Sequence, residues 1–186
     1  MSDVLRSEAL WYLVRGSGVV ALVLLTVTVA LGIATANRWS AVGLPRFVTA
    51  ALHRSVALLS VSFLGLHVLT SIVDTYVSIR AVDAFVPFVG SVQPVALGLG
   101  AVAFDLVVAL VATSLVRGSL GLRAWRTVHW LAYLAWPVAL LHGLTMGTDT
   151  AASWNVVTVA ACVLVVVAAV AWRVRLAGPR SAQAPA

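Results

Sequence analysis

Ala51-Leu52-His53-Arg54-Ser55-Val56-Ala57-Leu58-Leu59-Ser60-Val61-Ser62-Phe63-Leu64-Gly65-Leu66-His67 sets two histidines fourteen residues apart inside one apolar run. A second run, His129-Trp130-Leu131-Ala132-Tyr133-Leu134-Ala135-Trp136-Pro137-Val138-Ala139-Leu140-Leu141-His142, does the same with a spacing of thirteen. An imidazole has little reason to enter hydrocarbon unless something there binds it. Fourteen residues of helix rise roughly 21 Å and thirteen roughly 19.5 Å. Each pair therefore puts one ring near each face of a bilayer whose apolar core is about 30 Å thick.

The rest of the chain agrees with a membrane setting. Of 186 residues, 62% are hydrophobic and 10% charged, against roughly 45–50% and 25% in soluble domains. Five segments are long enough to cross, near 11–36, 50–73, 92–116, 125–147 and 151–172. The expected fold is an all-α integral membrane protein, a bundle of five transmembrane helices within residues 11–173. A disordered cytoplasmic tail is expected over 174–186.

The formal charge is +6, carried entirely by arginine on the basic side. These arginines cluster at segment ends, as topology signals do, and not in a nucleic-acid footprint. Arg38, Arg46 and Arg54, then Arg117, Arg123 and Arg126, then Arg173, Arg175 and Arg180 fall on one side of a five-span chain. Asp74, Arg80, Asp83 and Asp149 fall on the other. The positive-inside rule then puts the N-terminus out and the C-terminus in, across a bacterial plasma membrane. Trp11, Tyr12, Trp39, Tyr76, Trp125, Trp154 and Trp172 lie near span ends, as an aromatic belt requires. Ala34-Thr35-Ala36 resembles a signal-peptide cleavage site, but the preceding apolar stretch is longer than the usual 7–15 residues or so.

Several chemistries find no motif. Cys162 is the single cysteine, so there is no disulfide framework and no Cys-x-x-Cys-His for a thioether-bound haem. Gly16-Ser17-Gly18 lacks the third glycine and the strand of a dinucleotide fingerprint.

The histidines remain. In the expected topology the second and fourth spans run parallel, so depth pairs His53 with His129 at the inner end and His67 with His142 at the outer end. That layout holds two haems, one above the other. Two imidazoles per iron leave no open position, which suits electron transfer. At about 100° per residue, fourteen steps return within roughly 40° of the same face, but thirteen miss by roughly 140°. A kink at Pro137 is the expected remedy. The plainer alternative is four histidines that only hydrogen-bond between helices. A metal site without porphyrin is disfavoured, because the two histidines of one span are too far apart to share an ion.

The two spacings resemble those of the ferric reductase-like transmembrane domain. That superfamily includes NADPH oxidases, ferric reductases and the haem-binding membrane subunit of bacterial methionine sulfoxide reductase systems. Ala124-Trp125-Arg126-Thr127-Val128-His129-Trp130-Leu131-Ala132-Tyr133 is similar to the fourth-span motif of small bacterial members. Trp11-Tyr12-Leu13-Val14-Arg15-Gly16-Ser17-Gly18 is similar to their N-terminal segment. The resemblance implies two non-covalent b-type haems with His53, His67, His129 and His142 as iron ligands. Two departures stand out: many members have six spans where five are counted here, and the oxidases and reductases carry a flavin- and nucleotide-binding domain for which this chain has no room.

Other residues take supporting parts. Arg54 and Arg126 lie beside the inner histidines and are candidates to bind haem propionates, or else to snorkel to headgroups. Arg15, inside the first span at the outer end, is a candidate for an outer propionate, with Gly16 and Gly18 allowing close approach. Asp105, at mid-depth of the third span, is a candidate to hydrogen-bond a histidine's second nitrogen or a neighbouring helix. Gly65 makes room for a porphyrin edge or for a helix contact. The 74–91 loop, with Tyr76, Phe85, Pro87 and Phe88, is expected either to cap the outer site or to serve as an interfacial connector.

The function expected is electron transfer across the membrane, by the haem-binding subunit of an oxidoreductase system. Its electrons come from a separate donor, a flavin reductase or a quinol, so flavin or quinone belongs to a partner. They leave to an external acceptor. A quinol-oxidising cytochrome b and a haem-free scaffold or transporter are the alternatives. Lipid is a partner; nucleic acid is not.

Overall fold

The structure, a computed structural model, describes residues 2–37, 45–74, 77 and 79–177, with the side chains of 2–7, 46 and 177 left aside. Arg38, Trp39, Tyr76 and Arg180, and the arginine side chain at 46, lie outside the described residues. So do residues 178–186 of the expected tail.

Among the described residues, eight helices follow in chain order: α1 (Ser2–Ala36), α2 (Arg46–Val73), α3 (Ala81–Phe85), α4 (Pro94–Leu115), α5 (Arg117–Leu120), α6 (Leu122–His129), α7 (Ala132–Met146) and α8 (Ser153–Ala177). Apolar runs become helices in a bilayer because no water is there to satisfy exposed N–H and C=O groups. Hydroxyls inside the runs are satisfied by their own helix. Thr26 donates to the Leu22 carbonyl and Thr70 to that of Leu66, each at 2.8 Å. α4 opens with Pro94, whose missing N–H is one the first turn leaves unpaired in any case. Gly121, at φ 76°, breaks the chain between α5 and α6.

Among the described residues, four helices are long and apolar enough to cross a membrane: Glu8–Ala36, Phe47–Val73, Pro94–Leu115 and Ser153–Leu176. The 125–147 segment, expected as one continuous helix, is instead divided into α6 and α7 at Trp130–Leu131. The division has a backbone cause. Leu131, Tyr133 and Leu134 donate to the carbonyls of Val128, Trp130 and Leu131, all i to i+3 bonds of 2.9–3.1 Å. Pro137, in the second turn of α7, has no N–H to return to Tyr133 and crowds that carbonyl, which disfavours regular α-winding on its N-terminal side.

Two cores hold the helices. Val29 and Ile33 of α1, Trp136 of α7, and Cys162 and Val166 of α8 form one. The Trp136 indole N–H donates to Thr26 Oγ1 at 2.8 Å inside this core. Val107 and Leu110 of α4 and Ala135 of α7 form the other, with Val61 and Leu64 of α2 against it. α2 packs along α1, and α4 along α7, whereas the backbones of α2 and of α6–α7 hardly approach one another. A cleft therefore separates the two histidine-bearing arms.

Candidate functional site

The four histidines face each other across that cleft in two layers. His53 and His129 have ring centroids 6.4 Å apart with planes at 77°. His67 and His142 have centroids 6.3 Å apart with planes at 71°. Val61 and Leu64 fill apolar space at heights between the layers. The layer of His53 and His129 lies at the arginine-rich end, beside Arg54 and Arg126; that of His67 and His142 lies at the acidic end, near Asp149. His142 reaches the same cleft as His129 despite the thirteen-residue spacing. Each i to i+3 step winds about 20° further than an α step, in the direction that closes the roughly 140° gap. The overwound turn spans residues 128–134, ahead of Pro137.

Three of the rings share one seat. Nδ1–H of His53 donates to the Thr28 carbonyl at 3.0 Å, that of His67 to Val14 at 2.8 Å, and that of His142 to Ala96 at 2.8 Å. Each acceptor stands four residues before a glycine: Gly32, Gly18 and Gly100. A Cβ at Gly32 would lie 3.3 Å from Cε1 of His53, one at Gly18 3.0 Å from Cε1 of His67, and one at Gly100 2.6 Å from Cε1 of His142. The missing side chain lets the imidazole lie against the helix and reach its carbonyl. Because a carbonyl only accepts, Nδ1 carries the proton and Nε2 keeps the free lone pair.

At the acidic end the layer opens into a cavity of about 330 Å³, lined among others by Gly18, His67, Gly100, Phe104 and His142. That size lies within the range of small-molecule pockets, about 300–1,000 Å³. The loop after α2 closes one side, where Val77, Ile79 and Asp83 line the cavity. Arg80 and Asp83 fix it: Asp83 accepts from the Arg80 backbone N–H at 3.0 Å and from its guanidinium at 2.7 Å. The guanidinium holds the Asp83 carboxyl below the usual carboxylate range, and Asp83 raises Arg80 in return. The Phe85 ring meets Phe104 of α4 edge-on at 5.4 Å.

The charged candidates fall in different places. Arg15 lines the cavity, pairs with Asp149 and Thr148, and lies over the Trp11 ring at 4.4 Å. Arg54 and Arg126 are exposed and form no ion pair among the described residues. Asp105 makes no hydrogen bond among the described residues; the carbonyls of Val14, Thr28 and Ala96 take the role expected of it. Among the described residues, no atom of another helix lies within 4 Å of a Cβ built at Gly65 or at Gly16, so neither is a close helix contact.

Fold and site define a multi-pass, all-α membrane protein with two facing pairs of histidines. A family model, described as ferric reductase like transmembrane component, matches residues 17–140. The chain belongs to that family. The match takes in His53, His67 and His129 and ends two residues before His142. No curated protein and no solved structure matches the chain.

The layers fit a haem-type iron. Two imidazoles facing across one metal ion, with nitrogen–metal bonds of about 2.0–2.1 Å and ring centres about 1.1 Å behind the nitrogens, would have centroids about 6.2–6.4 Å apart. The observed 6.4 and 6.3 Å agree. Among the described residues, no three His, Cys, Asp or Glu side chains converge on a metal position. A haem, which brings its other donors with it, would fit this arrangement, held by His53 and His129 in one layer and by His67 and His142 in the other.

Proposed function

We propose that the chain is an electron conduit through a bacterial plasma membrane. It holds two b-type haems non-covalently, one between His53 and His129 and one between His67 and His142. The single observation that carries this reading is the pair of histidine–histidine separations, each matching two imidazoles on one iron. The haems supply one-electron redox chemistry; the protein binds, spaces and tunes them.

The protein's part follows from its residues. The carbonyl bonds to Nδ1 fix three ligand rings and raise the basicity of their Nε2. Apolar packing by Val61 and Leu64 keeps the layers apart and excludes water. Arg54 and Arg126 at one end and Arg15 at the other are propionate partners, with Arg15 shared between a propionate and Asp149. The chain crosses five times, with α6 and α7 together forming the fourth crossing, the N-terminus out and the arginine-rich end in the cytoplasm. A separate flavin reductase or a quinol reduces the arginine-rich-end site, and an external acceptor takes the electron from the acidic-end site.

The test is spectroscopic. Protein purified after expression with ample haem should show b-type absorbance and about two haems per chain. Colourless protein sinks the proposal. His67→Ala should lose the acidic-end haem and keep the other; equal loss of both contradicts the pairing. Reduction by NADPH with a flavin reductase, set against reduction by a quinol, identifies the donor.

A further inference from the structure

Three histidines are anchored through Nδ1 and the fourth is not. The Nδ1 of His129 is buried and has no hydrogen-bond partner among the described residues. The reason lies on α4. The fourteen-residue step that separates Gly18 from Gly32 on α1 carries Gly100 of α4 to Ser114, and a thirteen-residue step carries it to Thr113. The same steps carry the acceptor Ala96 to Leu110 and Ala109. No glycine stands there to open a seat. Thr113 Oγ1 donates to the Ala109 and Leu110 carbonyls itself, at 2.7 and 3.3 Å.

What holds His129 is a ring face. Trp125 stacks on it, with centroids 4.7 Å apart and planes at 28°, and the Trp125 indole N–H donates to Ser114 at 3.2 Å. Stacking of this kind holds the ring in place, but it neither selects a tautomer nor strengthens Nε2 as a ligand. His129 is also the last residue of α6, within the overwound turn, whereas His53, His67 and His142 sit inside continuous helices. Losing an outer hydrogen-bond partner costs a metal ligand roughly 10–100-fold in affinity.

We infer that His129 is the exchangeable histidine of the four, and that it yields its place to a small neutral diatomic ligand of the carbon monoxide class. With a ferrous haem bound, His129 would give up its one Nε2 bond and the incoming ligand would take that place, one bond for one. Both groups are neutral, so charge and oxidation state are unchanged. This rests on the haem reading above, with the arginine-rich-end site as the one that opens.

The test is a carbon monoxide titration of the dithionite-reduced full-length protein, read by difference absorbance beside a haem count. Wild type should bind one carbon monoxide per two haems. His67→Ala, left with the arginine-rich-end haem, should keep the full response. Trp125→Ala should bind carbon monoxide about 2- to 10-fold more tightly, the range that one lost aromatic stack supports, because nothing else among the described residues holds the His129 ring face. Two haems with no response, or with two carbon monoxide molecules bound, overturn the inference alone. So does a one-haem His67→Ala protein that fails to respond. Haem-free wild type overturns the proposed function together with this inference. Should His67→Ala not fold, the wild-type stoichiometry and the Trp125→Ala affinity still decide.

Discussion

Gly100 and His142 fit as a seat and its occupant: a Cβ at residue 100 would stand 2.6 Å from Cε1 and 2.8 Å from Nδ1 of the ring. Real Cβ atoms do not approach that closely, so any side chain at 100 moves the imidazole off the Ala96 carbonyl. Gly100→Val is therefore expected to cost the acidic-end haem, lowering the count from about two per chain to about one. Gly18→Val should act in the same direction on His67. Gly32→Val should act less strongly on His53, because a Cβ there would stand farthest from its ring, at 3.3 Å. Gly118→Ala, with nothing within 4 Å, is the matched control. Haem quantitation on purified protein checks the order.

Trp136 and Thr26 tie α7 to α1 through a buried hydrogen bond of 2.8 Å. Thr26→Val removes the acceptor of this bond and leaves the buried indole N–H of Trp136 without a partner. Interhelical hydrogen bonds in membranes average about 0.6 kcal/mol. Thr26→Val should cost more than that average, about 1–3 kcal/mol, because the stranded indole N–H adds its desolvation penalty. Trp136→Ala, which empties the space beside Val29 and Ile33, should cost about 3–5 kcal/mol. Unfolding in detergent, followed by helical signal, measures both.

The Arg80–Asp83 pair gives the loop over the cavity a defined pH response. The Asp83 pKa is held below its unfolded value. Its contribution is therefore complete above the ordinary aspartate pKa of about 3.9 and is lost as pH falls through the lower folded value. Loop protection, read by hydrogen exchange over residues 79–90, should be flat from neutral pH down to about 4 and fall below it. Asp83→Asn should remove that fall and leave the loop less protected at neutral pH.

Much of this site is legible in the sequence, and the illegible part has a physical explanation. Histidine spacing and arginine-ordered depth are one-dimensional quantities, and they pair His53 with His129 and His67 with His142 as the structure does. The split of the segment expected as the fourth span is not legible, because the overwinding at 128–134 precedes Pro137 instead of centring on it. The histidine anchors are hidden for another reason. Asp105 looks like the polar partner, yet backbone carbonyls serve, and a carbonyl has no letter of its own. Only the glycines betray it: Gly18 and Gly32 repeat the fourteen-residue step of His53 and His67 on the facing helix. That shared period was the available signal.

Arg15 separates two roles by the sign of an effect. It pairs with Asp149 and Thr148 at the rim of the acidic-end cavity, and the proposed function also gives it a propionate. Reduction adds negative charge to the haem, so a nearby cation favours the reduced form and a nearby carboxylate disfavours it. Arg15→Gln should lower the midpoint potential of the acidic-end haem. Asp149→Asn should raise it, since it removes a negative charge and frees Arg15 for the propionate. Were Arg15 only a strut between α1 and the 148–149 turn, both substitutions would loosen the same contact and move the potential the same way. A potentiometric titration of the two variants beside wild type distinguishes opposite shifts from parallel ones.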